Sequence, residues 1–195
     1  MDRRNFIRSV APTAVGACII GLPETAVAQS AEMAPGSYTL ADGEARFGES
    51  TVLFGSSPND IKVSGRDASG RLAVFEYRGA VRGGPPLHVH PDQDEIFFVQ
   101  EGRYVFQVGE DRTVVAGGGL IFLPRGRPHT WAQLSETGRM LFMFTPAGDM
   151  EDYFRALSRL NGPLPLAEER ALFAAHGMQL LGPPLDLDDN SQDVF

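Results

Sequence analysis

Residues 88–102 read HVHPDQDEIFFVQEG. Two histidines stand one residue apart in a chain that has only four. In an extended segment, side chains at i and i+2 share a face, so His88 and His90 point together while Leu87 and Val89 point away. The turn Pro91-Asp92-Gln93-Asp94 follows, and Glu95 opens the next apolar run, which sets its carboxylate beside the imidazoles. Asp92 and Asp94 read as a solvated turn, leaving Glu95 as the acid with a role. A second stretch adds His129, three residues past the Pro124-Arg125-Gly126 turn and at the head of a run that carries Trp131. Three neutral imidazoles and a carboxylate form a mixed nitrogen–oxygen donor set that suits Fe, Mn, Ni, Co or Cu. It is not a thiolate-rich structural zinc site. His176 falls at the expected C-terminal end of a helix, where a cation is favoured, and has no catalytic role.

Around these residues the chain is strand-rich. Short β-branched and aromatic runs at 50–54, 61–64, 71–77, 95–100, 104–108, 112–115, 119–123, 130–134 and 139–145 alternate with turn clusters such as Ser56-Ser57-Pro58-Asn59-Asp60 and Gly117-Gly118-Gly119. Many short strands with regular turns predict an all-β sandwich or barrel. After Pro146 the period becomes helical. Met150, Tyr153, Phe154, Leu157 and Leu160 share a stripe behind the candidate N-cap Asp149, and a second helix is expected over 166–176, stopped by Gly177. The stripe reads as helix packing on the sheet. No internal repeat is visible. The expected layout is an extension at 29–44, a barrel at 45–146, a helical segment at 147–182 and a mobile acidic tail at 183–195.

The first 28 residues have another character. Arg3, Arg4 and Arg8 precede a short run of small apolar residues, and Ala26-Val27-Ala28 has the form of a cleavage site. Arg3-Arg4-Asn5-Phe6-Ile7-Arg8 resembles a twin-arginine export signal. Val15-Gly16-Ala17-Cys18 offers a lipoprotein box as the lesser alternative. The expectation is a periplasmic or secreted protein without a transmembrane segment. Cys18 is the sole cysteine, so no disulfide forms within the chain. A net charge of −8 with scattered basic residues argues against nucleic acid as a partner.

His88-x-His90-x4-Glu95-x6-Gly102 resembles the first cupin motif, and Gly118-x5-Pro124-x-Gly126-x2-His129 the second. The fifteen residues between Gly102 and Gly118 match the short spacing of microbial single-domain cupins. Two positions depart from the pattern: Arg82 stands where the first motif begins with glycine, and Gln133 where the second ends with asparagine. The resemblance implies a double-stranded jelly-roll barrel with C-terminal helices, holding one divalent metal ion on His88, His90, Glu95 and His129. The wider pattern, with Gly84-Pro85-Pro86 before His88 and Phe144-Thr145-Pro146-Ala147-Gly148 before the first helix, is similar to quercetin 2,3-dioxygenase-like cupins. That likeness implies a dioxygenase that cleaves a flavonol or similar hydroxylated aromatic or enolic molecule with O2, with Glu95 as catalytic base. Phe75, Tyr77, Phe97, Val99 and Trp131 are candidate pocket residues by strand alternation. Two other functions stay open: a non-oxygenase cupin enzyme (isomerase or lyase), and an exported binder of a metal or small ligand. Similar cupins imply a homodimer.

Overall fold

The computed structural model describes residues 36–187. The expected export signal at 1–28, the Cys18 box and most of the acidic tail lie outside the described residues. Eleven strands and two helices follow in the order β1 (Ser50–Leu53), β2 (Ser57–Val63), β3 (Ala73–Gly79), β4 (Pro86–Val89), β5 (Asp94–Glu101), β6 (Arg103–Val108), β7 (Asp111–Ala116), β8 (Leu120–Leu123), β9 (His129–Gln133), β10 (Gly138–Thr145), α1 (Met150–Ser158), α2 (Leu166–Ala175) and β11 (Gln179–Pro184). They form two antiparallel sheets, β1-β2-β3-β10-β5-β8 and β11-β4-β9-β6-β7, the double-stranded jelly roll of the cupin fold.

Strand alternation decides what faces inward. Along β5, Glu95, Phe97 and Val99 are buried while Ile96 and Phe98 are half-exposed. Along β10, Met140, Phe142 and Phe144 are buried. The inner faces meet in an aromatic core in which Phe75 stacks on Phe142 at 5.3 Å and Phe97 on Phe142 at 5.6 Å. Every residue of β9 is buried, because its outer face is covered too.

Three elements differ from the sequence expectation. β2 begins at Ser57, inside the stretch read as a turn, because Asn59 and Asp60 pair with β3 and are fully buried. Asn59 Nδ2 donates to Thr51 Oγ1 and Asp60 accepts from Arg78, so most of their polarity is met within the strand, Asn59 Oδ1 alone keeping no partner among the described residues. The segment expected to be helical through 182 instead ends in β11, which pairs with β4. The chain turns there because α2 closes with Gly177 at φ 78°, Met178 N–H donating to the Phe173 carbonyl and Gly177 N–H to that of Ala174. Asp149 makes no side-chain cap hydrogen bond; α1 is instead fixed to the barrel by Glu151, which accepts from Ser64 Oγ and Gly65 N–H.

The departure at Gln133 has a structural counterpart. Its side chain is fully buried, donates to the Ser135 and Glu136 carbonyls and accepts from the Tyr104 hydroxyl. Gly79 and Gly138 face each other across β3 and β10 and leave the room it needs; a Cβ on Gly79 would lie 1.6 Å from Gln133 Oε1. Among the described residues, no helix is long and apolar enough to cross a membrane.

Gly84, just before β4, lies against the backbone of β9. A Cβ there would sit 1.8 Å from the Trp131 carbonyl oxygen, an atom that cannot swing aside. Gly84→Ala is expected to destabilise the fold by about 3 kcal/mol or more, at the upper end of overpacking costs, read as a fall in denaturation midpoint.

Candidate metal centre

β4 and the residue after it supply His88 and His90, β5 supplies Glu95 and β9 supplies His129. His88 and His129 are directly opposed across β4 and β9, and both sheets contribute to the cluster. All four side chains are buried, and one ligand atom from each lies within 4.8 Å of the others. The imidazoles meet ring to ring, with centroids 4.6 Å apart for His88 and His129, 5.1 Å for His88 and His90 and 5.5 Å for His90 and His129. Glu95 Oε2 lies 3.0 Å from His129 Nε2 and 4.0 Å from His90 Nε2.

Each ring is oriented from behind. His88 Nδ1 lies 2.8 Å from the Pro86 carbonyl and His129 Nδ1 2.9 Å from the Arg127 carbonyl. A carbonyl oxygen can only accept, so both rings carry their proton on Nδ1. His90 Nδ1 lies 3.1 Å from Gln93 Oε1. The Gln93 amide is set by Nε2 donating to the Pro146 and Ala147 carbonyls, so His90 is an Nδ1–H tautomer as well. All three rings therefore point Nε2 toward the cluster, as a lone pair when the ring is neutral.

His129 Nε2 and Glu95 Oε2 face each other at 3.0 Å; a ring protonated at both nitrogens donates to the carboxylate, and a ring protonated only at Nδ1 leaves two acceptors that a cation would join. Three imidazole nitrogens and a carboxylate converging in this way fit a transition-metal site.

The turn before His129 organises the site further. Gly126, at φ 73°, donates its N–H to the His90 carbonyl at 2.8 Å. Asp94, read from the sequence as a solvated turn residue, instead takes a bidentate pair from Arg125 at 3.1 and 2.7 Å and also accepts the Arg125 N–H. Those hydrogen bonds hold its carboxyl down to about 2. Asp92 stays exposed, as expected. His176 donates back to the Leu172 carbonyl at the end of α2, away from the cluster.

The cluster opens into a cavity of about 730 Å³ whose walls include Phe54, Trp131, Phe142, Phe144, Phe154 and Phe173. Of the five pocket residues expected from the sequence, Trp131 lines it. Phe75, Tyr77, Phe97 and Val99 point inward as alternation requires but lie in the packed core, buried beneath the cavity wall. The helices close the other side. Met150, Tyr153, Phe154, Leu172 and Phe173 all face the cavity, so the stripe read as simple packing also forms a wall. Its sequence signal was the aromatic pair Tyr153-Phe154 on that stripe.

Burial holds His88 well below its ordinary pKa, and His129 and His90 beside it push the same way. His90 is lowered by burial, against the opposing pull of Glu95. Below about pH 6.5 the unfolded chain takes up protons that these folded imidazoles refuse, so the metal-free protein loses stability as pH falls through that window. A melting-temperature series on chelator-treated protein should show this decline, and His88→Gln should flatten it. Gln93→Leu should leave the fold in place and weaken metal binding by about 10- to 100-fold in chelator competition, because His90 loses the acceptor that orients it.

Residues 77–145 match a family model described as a cupin domain. An uncharacterized protein of Streptomyces coelicolor is 41% identical over 54 residues, 28% of this chain and 51% of that protein. Quercetin 2,3-dioxygenase of Bacillus subtilis is 26% identical over 120 residues, 62% of this chain and 34% of that protein. The chain thus spans about half the length of the first relative and about a third of the second. Among solved structures, KdgF from Halomonas sp. superposes with a TM-score of 0.52 at 14% identity, over 60% of this chain and 99% of that one, a likeness of fold. The chain thus carries a cupin-domain match over residues 77–145 within a jelly-roll fold, and its buried His/His/Glu/His cluster fits a metal ion.

Proposed function

We propose that this protein is a metal-dependent dioxygenase acting on a flavonol or a similar hydroxylated aromatic or enolic molecule with O2. The observation that carries the reading is a carboxylate, Glu95, set within the imidazole cluster at the base of an aromatic-walled cavity. The similarity to the Bacillus subtilis quercetin 2,3-dioxygenase points the same way.

His88, His90, His129 and Glu95 would hold the ion, which supplies Lewis acidity toward an enolate or phenolate oxygen. The rest falls to the side chains. The Glu95 carboxylate is the base that accepts the hydroxyl proton of the substrate. Phe142, Phe144, Phe154 and Trp131 bind a planar ring and keep water from it. Among the described residues, no lysine or arginine lines the cavity, which disfavours a carboxylate or phosphate substrate.

The test is oxygen consumption by the purified, metal-quantified protein with a panel of flavonols and catechols. Uptake with at least one is expected. His129→Ala should abolish it together with the bound metal, and Glu95→Gln should lower turnover by about 10²- to 10⁴-fold, the usual contribution of a general base. A fully metallated protein that takes up no oxygen with any of these compounds overturns the reading in favour of a lyase, an isomerase or a binder.

A further inference from the structure

Tyr153 has no part in the chemistry above, yet its surroundings are unusual. It lies on α1, is 6% exposed and lines the cavity. Its ring packs against Phe154 and Phe173, each at 5.4 Å, and against His176 at 5.6 Å. Phe173 in turn lies 5.7 Å from His88, so one aromatic ring links Tyr153 to the metal cluster. Its hydroxyl has no hydrogen-bond partner among the described residues, whereas buried Tyr77 and Tyr104 donate to Ser57 and Gln133. The Tyr153 hydroxyl is not among the fully buried polar atoms that lack a partner, so with no partner in the described chain it opens to the cavity it lines and is free to pair with whatever occupies it. A residue serving only to fill this wall would be as well served by phenylalanine.

The charges near it narrow what could pair with it. Burial raises its pKa, and the carboxylates of Glu169 and Glu95 add to that, so the phenol stays protonated and available as a donor. Glu169 lines the same cavity. A donor beside two carboxylates, in a cavity whose described wall carries no lysine or arginine, suits a neutral oxygen such as a ring hydroxyl.

We propose that Tyr153 is a substrate-positioning residue, whose hydroxyl donates a hydrogen bond to a ring hydroxyl of the ligand remote from the oxygens that face the metal cluster. This rests on the flavonol reading above. The consequence is selectivity: a flavonol with hydroxyls on its outer rings is held in one orientation, while one lacking them is held only by its metal-facing end and by apolar contact.

Trp131, the single tryptophan of the chain, lines the cavity and gives a direct signal. Binding of quercetin and of 3-hydroxyflavone, which lacks the outer hydroxyls, is followed by Trp131 fluorescence on metal-loaded protein without oxygen. Tyr153→Phe should keep metal content and melting temperature, weaken quercetin by roughly five- to tenfold and leave 3-hydroxyflavone unchanged, the size of one lost hydrogen bond. Unchanged quercetin affinity in Tyr153→Phe would make the residue a packing element and overturn the proposal. So would equal weakening of both ligands, since the effect would then not pass through an outer hydroxyl. If the unsubstituted protein binds neither compound, the flavonol reading itself falls and the proposal with it.

Discussion

Three imidazole nitrogens and a carboxylate oxygen converge within 4.8 Å of one another inside this barrel, and the rest of the site is arranged around that convergence. The surrounding structure holds the four groups in register. Both sheets contribute ligands, and the Pro86, Gln93 and Arg127 oxygens pin the rings from behind. The turn at 124–127 reaches His90 through Gly126, His129 through Arg127 and the start of β5 through Asp94. A preorganised set of this kind binds its ion without first paying to assemble itself.

The helices give the cluster its chemical surroundings. α1 is fastened to the barrel through Glu151 with Ser64 and Gly65, and through Ser158, which accepts the Val52 N–H. That attachment puts Tyr153 and Phe154 on one wall, while α2 brings Phe173 up to His88. The result is an aromatic space next to the carboxylate, with no lysine or arginine on its wall among the described residues, where electrostatic interactions are weakly screened.

The cluster was legible in the sequence because it depends on local rules. His88 and His90 share a face through the two-residue period of a strand, and Glu95 follows one turn later. The inward set Glu95, Phe97 and Val99 follows from the same period. What that period cannot give is depth. Phe97 and Trp131 are both inward, yet only Trp131 reaches the cavity, because depth is fixed by the other sheet and by the helices packed across the opening. β2 was misread at Ser57–Asp60 because polar residues with buried partners look the same in sequence as polar residues in a turn. β11 was missed because its strand exists only through pairing with β4.

The three oxygens behind the imidazoles are not equivalent. Those of Pro86 and Arg127 belong to the main chain, so substituting those side chains leaves the acceptors in place. The third belongs to Gln93, a side chain on a turn. A single substitution at residue 93 therefore alters the acceptor behind one imidazole, His90, while the acceptors behind the other two stay with the main chain and the scaffold is left as it was.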